Sequence, residues 1–332
     1  MMKNVLVTGG GGFLGTFLVE ALLVRGDNVT VLSRGDYPKL KEMGVTLIQA
    51  DLTDKNKVMD ACENKDTVFH LAAKTGPWGD YNEFYRTNVE GTENIVDACV
   101  KKNVKRLVYT SSPSVLSPFE DLSGVDESYP YPDYMVSAYQ KTKMLAEKHV
   151  LASNEKNGLI TCSLRPHAIW GPRDTQLFAA ILVRIKQGKM VIVGEGTNKI
   201  SVSYVENAAY AHIQASESEN VGGKVYFVNE PEPVDMWPWI NSLCQQLDIA
   251  PITKTISYKL AFNLGFLSEK LYGWLPFLGE PKFTRGIAAT CGRDHYFDIS
   301  AAVKDFGLSS PVSMEEATRR FVDYYKNNPS EC

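Results

Sequence analysis

Short runs of apolar, often β-branched residues alternate with longer segments of helical periodicity along the first half of the chain. The runs at 3–7, 29–32, 45–49, 67–71, 107–110 and 159–164 predict buried strands, and the segments at 13–25, 54–63, 90–101 and 137–153 predict helices. Strands that alternate with helices connect through right-handed crossovers and form a parallel sheet covered on both faces. The pattern therefore predicts an α/β fold with a doubly wound parallel sheet.

The regular alternation ends near residue 175, where short strands, helices and Pro-rich turns such as NEPEPV and GEPKF begin. We expect residues 1–175 to form the sheet domain and residues 176–332 to form a smaller, mixed α/β C-terminal lobe. This lobe is expected to interleave with the first domain, to close over the carboxyl edge of the sheet and to bind substrate there.

Composition narrows the class of partner. The net charge is −4 and charged residues make up 22% of the chain, so we expect no nucleic-acid partner. The six cysteines are scattered, with no CxxC pair and no metal-ligand spacing, so we expect free thiols, no metal and a cytoplasmic location. The chain enters a strand pattern at once and has no long apolar run, so we expect neither a signal peptide nor a transmembrane helix.

A glycine-rich turn follows the first strand. Residues 8–15 read TGGGGFLG, in which Gly9, Gly12 and Gly15 have the spacing GxxGxxG and Phe13 and Leu14 open a helix. Glycine permits a tight turn and close approach of a pyrophosphate, and the helix N-terminus offers free N–H groups to the phosphates. This strand–turn–helix context predicts a Rossmann-type dinucleotide site, which makes 1–175 the cofactor-binding and catalytic domain.

The end of the second strand predicts which dinucleotide binds. NAD enzymes carry an acidic residue there, which accepts hydrogen bonds from the ribose 2′-hydroxyl. This strand ends in Ser33 and Arg34, and an arginine can pair with a 2′-phosphate. NADP(H) is therefore the preferred cofactor, with NAD(H) as the alternative if Asp36 serves the ribose.

Tyr139 and Lys143 have the spacing YxxxK, which places both side chains on one face of a helix. The motif alone is common, but here it follows a cofactor turn and a strand that ends in YTSS. The carboxyl end of that strand lies on the ligand side of a doubly wound sheet. Ser112, in this segment, is therefore predicted to join Tyr139 and Lys143 in a catalytic centre.

The whole set of motifs resembles the extended short-chain dehydrogenase/reductase family: TGGGGFLG, ADLTD, HLAA, NVEGT, YTSSPSV, YQKTK and LRPHAIWGP. Within it, the stretches GPWGDYNEFYRTNVEGT, SYVENAAYAH, WPWIN and HYFDISAAVKDFG are most similar to the 3β-hydroxysteroid dehydrogenase branch, including bacterial enzymes that reduce 2-alkyl-3-oxoalkanoates. The resemblance covers residues 3–326.

The resemblance implies a role for each motif residue. Tyr139 would be the general acid/base, with its pKa lowered by Lys143 and the cationic nicotinamide, and Ser112 would hold the substrate oxygen with help from Ser114. Asp51 would contact adenine. The residues expected to bind the cofactor are Gly9, Gly12, Phe13, Leu14, Gly15, Ser33, Arg34, Asp51, Leu52, Ala72, Ala73, Tyr139, Lys143 and Pro166. Asn88 is expected either to make structural hydrogen bonds or to join the active-site network.

The second lobe bears on the substrate. Relatives that act on nucleotide sugars usually place an arginine where this chain has Ile200, and a diphosphate without its cation would bind poorly. Arg173 and Arg293 could substitute for it. We therefore expect a small apolar substrate, a 3-oxo acid or a 3β-hydroxysteroid-like molecule, with a nucleotide-sugar epimerase or dehydratase as the alternative. Expected substrate contacts are Trp78, Ser114, His167 and Tyr204.

The segment 256–279 carries apolar side chains at helical spacing, at Leu260, Leu264, Leu267, Leu271 and Trp274. One interpretation is a core-facing helix, and the other is a lid over an apolar pocket that also touches a membrane surface. The steroid-dehydrogenase resemblance favours the second interpretation.

The resemblance also implies a homodimer through the helices near 90–101 and 137–153.

Two classes of function remain: an oxidoreductase that transfers hydride between NADP(H) and a keto or hydroxyl group, and a cofactor-sensing protein without turnover. The presence of Ser112, Tyr139 and Lys143 together favours the enzyme.

Overall fold

The computed structural model describes residues 2–116, 119–174, 177–275, 277 and 279–329. Within these residues the strands are β1 Asn4–Thr8, β2 Asn28–Ser33, β3 Thr46–Gln49, β4 Thr67–His70, β5 Arg106–Thr110, β6 Leu122–Val125, β7 Ile160–Pro166, β8 Ile169–Trp170, β9 Ile192–Val193, β10 Lys199–Ile200, β11 Ser203–Tyr204, β12 Lys224–Val228, β13 Val234–Asp235, β14 Thr255–Ile256 and β15 His295–Phe297. The predicted strands of the first half are all present, shifted by at most two residues at their ends.

The α-helices are α1 Phe13–Val24, α2 Pro38–Glu42, α3 Lys55–Ala61, α4 Tyr81–Tyr85, α5 Gly91–Lys101, α6 Ala138–Leu151, α7 Phe178–Lys186, α8 Val205–Glu217, α9 Met236–Gln246, α10 Tyr258–Trp274, α11 Arg285–Gly292, α12 Ser300–Phe306 and α13 Met314–Asn327. A π-helical turn at Arg86–Glu90 joins α4 to α5, and short 3₁₀ turns lie at Pro113–Val115 and Lys156–Gly158.

In the part of the chain that the structure describes, seven parallel strands form one sheet in the order β12-β7-β5-β4-β1-β2-β3. The order reverses direction beside β1, which is the arrangement of a doubly wound sheet and confirms the predicted fold. Apolar residues of α1 and α8 pack on one face, and apolar residues of α3, α5 and α6 pack on the other. Parallel strands covered on both faces explain why the predicted strands are continuously apolar.

The two halves of the chain share their sheets. β12, from the second half, pairs with β7 and completes the large sheet, and α8 packs beside α1. In return β6, from the first half, pairs with β15 in a four-stranded sheet of order β13-β10-β15-β6. A second apolar core surrounds the fully buried Trp170 and includes Phe178, Tyr204, Trp237 and Phe321.

The helix α10 is not a core-facing helix, so the first interpretation of segment 256–279 is wrong. Its buried residues are Ala261 and Gly265, the latter close to the backbone of Arg285 at the start of α11. The apolar stripe predicted from the sequence points away from the protein: Leu267 is 61% exposed and Trp274 is 80% exposed. The small residues of α10 let it approach α11 closely, and the large side chains on the other face of α10 therefore remain exposed to solvent.

Candidate active site

The glycine-rich turn is shaped to admit a dinucleotide. Gly9 has φ of +71°, and a Cβ atom there would lie 2.9 Å from the backbone of Ala72. A Cβ atom at Gly15 would lie 2.2 Å from the carbonyl oxygen of Gly9. Helix α1 begins directly after Gly12 with no side-chain cap, so its first N–H groups face the turn. Open backbone and an uncapped helix N-terminus fit a pyrophosphate group.

The strand register brings the predicted motifs to one edge of the sheet. Thr8 pairs with His70, His70 with Tyr109, and Thr110 with Leu164. The residues at or just beyond the ends of these strands are the glycine turn, Ala72 and Ala73, Ser112, and Pro166 with His167. Because the carboxyl ends of parallel strands meet at the same edge, these separate sequence segments surround one cleft.

The start of α6 is fixed by a capping box, which positions Tyr139 in the first turn of the helix. The Ser137 hydroxyl accepts a hydrogen bond from the Gln140 backbone N–H, and the Gln140 side chain accepts one from the Ser137 backbone N–H, both at 3.2 Å. This reciprocal arrangement satisfies donors that a helix N-terminus leaves free. It also fixes the direction in which α6 presents Tyr139 to the cleft.

The structure places Tyr139, Ser112 and Lys143 near one another. The Ser112 hydroxyl lies beside the Tyr139 phenol, where it lowers the pKa of the tyrosine. One turn further along α6, the buried ammonium of Lys143 donates to the Thr110 carbonyl oxygen at 2.6 Å and lies 4.1 Å from the centre of the Tyr109 ring. The geometry places a phenol, a hydroxyl and a cation at the end of β5.

Burial shifts the pKa values of this centre. It raises the pKa of Tyr139, an effect that the Ser112 hydroxyl opposes. It lowers the pKa of Lys143 to about 7, an effect that the neighbouring Glu147 carboxylate opposes. Burial of Tyr139 therefore opposes the lowered tyrosine pKa that the sequence led us to expect. Burial of Lys143 likewise favours the loss of its proton, so its positive charge needs support from other groups.

The predicted second hydroxyl, Ser114, is available for a ligand. Its backbone N–H donates to the Ser112 hydroxyl oxygen at 3.2 Å, which keeps the two serines adjacent. Its own hydroxyl is buried and has no hydrogen-bond partner among the described residues. A buried polar atom without a partner is costly, so a substrate oxygen at this position would satisfy it.

Asn88 makes structural hydrogen bonds, the first of its two expected roles. Its side chain accepts from the Lys74 backbone N–H at 2.7 Å and donates to the Lys74 carbonyl oxygen at 3.0 Å and to the Thr142 hydroxyl at 3.1 Å. It lies in the π-helical turn, a distortion that is frequent at functional sites. Asn88 thus clamps the loop after β4 to helix α6, beside the catalytic pair.

At the edge of the cofactor cleft, Ser33 is half-buried and Arg34 is exposed. Asp36, the alternative ribose ligand, forms a 2.6 Å ion pair with Lys41. Asp51 accepts hydrogen bonds from the backbone and hydroxyl of Thr53 at 2.9 and 2.7 Å. Burial would raise the pKa of Asp51, but these bonds and the nearby Arg34 outweigh it and lower the pKa.

Tyr37, which no sequence motif singled out, lies with its ring against the glycine turn. A Cβ atom at Gly11 would lie 2.3 Å from Cζ of this ring, and one at Gly35 would lie 2.9 Å from Cε2. Two glycines without a place in the GxxGxxG spacing are therefore needed to seat an aromatic side chain beside the predicted ribose position.

The histidines differ in their surroundings. His70 is buried between the hydroxyls of Thr8 and Thr92, at 2.7 and 2.9 Å, and His212 contacts the Thr110 hydroxyl at 2.8 Å. Burial lowers the pKa of His70 to about 3 and that of His212 to about 4, so both are neutral structural residues. The ring of His167 follows Pro166 at the cleft edge and packs against Phe297 at 5.3 Å.

The three positions that bear on a diphosphate are either buried or already paired. Ile200 is buried in the second core, in β10. Arg173 makes a two-bond pair with Glu20 at 2.6 and 2.8 Å, and Arg293 pairs with Asp121 at 2.9 Å. The two arginines that could have replaced the missing one therefore already have carboxylate partners.

Two predicted substrate contacts have different placements. Trp78 is half-buried in the loop after β4. Tyr204 is fully buried and packs against Trp170, and its hydroxyl donates to Glu206 at 2.9 Å. This placement gives Tyr204 a packing role and does not support a contact with substrate.

The residues that the structure describes contain neither a metal-binding cluster nor a membrane-spanning helix. No cluster of three or more His, Cys, Asp or Glu side chains among them could hold a metal ion, and their cysteines, Cys62, Cys99, Cys162, Cys244 and Cys291, are free thiols. Of the helices in the described ranges, none is both long enough and apolar enough to cross a membrane.

Comparison with known proteins agrees with this geometry. The chain is 42% identical over 325 residues to a 2-alkyl-3-oxoalkanoate reductase of Stenotrophomonas maltophilia (strain K279a), covering 96% of this chain and 98% of the relative. It is 34% identical over 335 residues to the decarboxylating sterol-4-alpha-carboxylate 3-dehydrogenase of Mus musculus, covering 97% and 91%. The solved structure of MoeE5 in complex with UDP-glucose and NAD superposes with a TM-score of 0.75 at 25% identity, covering 98% and 99%.

The family model of the 3-beta hydroxysteroid dehydrogenase/isomerase family matches residues 6–260, which include the glycine turn, Ser112, Tyr139 and Lys143. The match confirms the resemblance seen in the motifs and the choice of an enzyme over a cofactor sensor. The chain therefore belongs to the 3-beta hydroxysteroid dehydrogenase/isomerase family and is an NAD(P)-dependent oxidoreductase of the extended short-chain type that acts on hydroxyl groups.

Proposed function

We propose that this enzyme reduces the 3-keto group of an apolar 2-alkyl-3-oxo acid, or oxidises the matching 3-hydroxyl group, with NADP(H) as the preferred hydride carrier. The observation that carries the proposal is the grouping of Ser112 and Tyr139 with the buried Lys143, whose ammonium is bonded to Thr110 at the end of the strand that leads to Ser112. The reductase of Stenotrophomonas maltophilia, similar over almost the full length of both chains, supports the 3-oxo acid as substrate.

The residues divide the chemistry among them. In reduction, Tyr139 donates its proton to the carbonyl oxygen, while the hydroxyls of Ser112 and Ser114 hold that oxygen in place. The positive charge of Lys143 favours loss of the proton from Tyr139. When bound, the nicotinamide supplies the hydride in reduction and accepts it in oxidation. The alcohol product thus gains one hydride on carbon and one proton on oxygen.

NADP(H) is favoured by the edge of the cofactor cleft. Arg34 is exposed and can meet a 2′-phosphate, and Asp36 is engaged by Lys41. NAD is the alternative, since MoeE5, which has a similar fold, was solved in complex with NAD.

A sterol is the second candidate substrate, favoured by the family and by the murine sterol dehydrogenase. A nucleotide sugar is disfavoured by the buried Ile200 and the paired Arg173 and Arg293.

An assay of NADPH absorbance at about 340 nm separates these candidates. We expect turnover with a medium-chain 2-alkyl-3-oxoalkanoic acid, and NADP⁺ reduction with the corresponding 3-hydroxy acid in the reverse direction. A 3-ketosteroid tests the second candidate. Turnover of UDP-glucose without turnover of either apolar substrate would overturn the proposal.

We also propose that α10 lies against a lipid surface, from which apolar substrate enters the cleft. The same helix carries Lys259 and Lys270 beside its exposed stripe of large apolar residues, and both lysines are exposed and suit an anionic headgroup layer. The carboxylate of Glu269 is held by Arg285 at 2.7 Å. An apolar stripe flanked by exposed lysines is the pattern of a helix that lies in a membrane interface.

A further inference from the structure

We propose that Glu147 is a positioning residue for the catalytic pair, because its carboxylate is the counter-charge that keeps the buried Lys143 cationic and in place beside Tyr139. The inference rests on the proposed function, since it concerns the proton transfer assigned to Tyr139. It adds a residue that touches neither substrate nor cofactor.

The three side chains form one stripe on α6. Tyr139, Lys143 and Glu147 are spaced by four residues, so they lie one above another on the same helix face. Lys143 is 2% exposed and Glu147 is 0% exposed. The Glu147 carboxylate makes its ion pair with Arg165, and from one turn away its negative charge also acts on the buried Lys143 ammonium.

A set of fixed hydrogen bonds keeps the Glu147 carboxylate ionised. Arg165 donates to it from Nε at 3.0 Å and from Nη2 at 2.5 Å, Ser163 donates at 2.8 Å, and the Tyr131 hydroxyl donates at 2.7 Å. The guanidinium lies 5.4 Å from the centre of the Tyr131 ring and 5.5 Å from that of Phe227. Burial would raise the pKa of Glu147, but these contacts outweigh it and lower the pKa.

The other groups around Lys143 do not supply a negative charge. The titratable groups found to face Lys143 are Glu147 one turn along α6, Tyr109 on β5, whose ring lies under the ammonium, and His70 on β4. Burial holds His70 neutral and raises the pKa of Tyr109 well above its usual range, so Tyr109 stays protonated. Among these described groups Glu147 is therefore the anion that opposes the loss of the Lys143 proton.

A purely structural role for Glu147 predicts something different. In that case the ion pair with Arg165 would join α6, β7 and the loop of Tyr131, and it would affect folding without changing the charge of Lys143. Removing both charges together distinguishes the roles, because replacement of a whole buried ion pair is often tolerated, whereas removal of one partner strands the other.

The test is a pH titration of the free enzyme by NMR, with ¹³C at lysine Cε and the Lys143 signal assigned by its loss in Lys143→Met. In the Glu147→Gln, Arg165→Met double variant we expect the titration midpoint of Lys143 to fall by about one pH unit or more relative to wild type. Glu147→Gln alone should lower this midpoint, provided that the variant folds.

Kinetics supply the second measurement. The ratio of wild-type kcat to double-variant kcat should increase from about pH 6 to pH 8, because Lys143 loses its proton at a lower pH in the variant. The NADPH dissociation constant should change little. The matched control is Glu230→Gln, another buried carboxylate, which is hydrogen-bonded to Asn207 and the backbone of Tyr204 in the second lobe. It should lower thermal stability and leave the midpoint of Lys143 unchanged.

A folded double variant in which Lys143 titrates as in wild type would overturn the inference and leave Glu147 a structural residue. Failure of the wild-type enzyme to oxidise NADPH with any keto substrate would instead overturn the proposed function, and the NMR result would still decide the role of Glu147.

Discussion

The ammonium group of Lys143 donates a 2.6 Å hydrogen bond to the main-chain carbonyl oxygen of Thr110. This bond ties the catalytic helix to the last residue of the strand that leads to Ser112, so the two halves of the catalytic centre cannot separate without breaking it. The acid, the oxygen-holding hydroxyl and the cation therefore keep their geometry before any ligand binds, which is the preorganisation that catalysis requires.

Replacing Tyr139 with Phe removes the proton donor and keeps the ring. We expect kcat to fall by about 10²–10⁴-fold, the range that general acid–base catalysis supplies, with NADPH binding nearly intact. Steady-state kinetics and a fluorescence titration of NADPH measure the two effects. Tyr134→Phe, at a tyrosine that is 68% exposed, is the control and should be silent. Near-wild-type kcat in Tyr139→Phe would refute the assignment.

The cofactor preference should depend on Arg34. Charge-assisted hydrogen bonds to a 2′-phosphate are worth about 1.5–3 kcal/mol each, so NADPH should bind at least about tenfold more tightly than NADH. Arg34→Ala should remove most of this difference and leave NADH binding unchanged, and Ser33→Asp should reverse it by repelling the phosphate. Lys39→Ala, a nearby exposed lysine, controls for general charge. Equal affinities in the wild type would point to NAD and to Asp36.

Contact with lipid should depend on the exposed face of α10. The wild-type protein should sediment with vesicles that contain phosphatidylserine, and less with neutral vesicles or at high salt. Leu267→Glu with Trp274→Glu should abolish binding, since each places a charge on the apolar stripe. Val303→Glu, at a 49% exposed valine on α12, should bind as wild type does. Equal sedimentation of all three proteins would contradict the proposal.

We propose that the enzyme is a symmetric homodimer through α5 and α6. Multi-angle light scattering at micromolar concentration should give twice the chain mass of 36.9 kDa. Leu145→Arg, on the outer part of α6, should produce monomer. Val24→Arg, at a 91% exposed valine of α1, should not change the mass. A wild-type monomer over the whole concentration range would rule out this interface.

Buried neutral histidines should make the fold sensitive to acid. Burial lowers the pKa of His70 to about 3 and the pKa values of His167 and His212 to about 4. In the unfolded chain the histidine pKa is about 6.5, so the unfolded state binds more protons below that pH and stability falls as pH drops from about 6.5 towards 4. Thermal unfolding across this range should show a shallower slope for His212→Asn than for wild type. Identical slopes would show that His212 does not contribute to the loss of stability at acidic pH.

The sequence by itself determined the sheet and the grouping of the candidate catalytic residues, because these depend on local signals. Strand runs, helical periodicity and the GxxGxxG and YxxxK spacings are each read within a few residues, and a parallel sheet brings its carboxyl ends to one edge whatever lies between the strands. Tyr139, Lys143 and Ser112 could therefore be placed together from the motifs and their order.

Only the tertiary structure decided which apolar and charged side chains are buried. The periodicity of α10 was compatible with a core helix or a surface helix, and the close approach of Gly265 to Arg285 turned its large residues outward. Tyr204 was a plausible ligand contact until its burial against Trp170 appeared. Glu147 and Arg165 lie 18 positions apart in the sequence and carry no motif of their own. Their pairing depends on the packing of α6 against β7, because burial and long-range contacts belong to the folded chain as a whole and leave no local pattern.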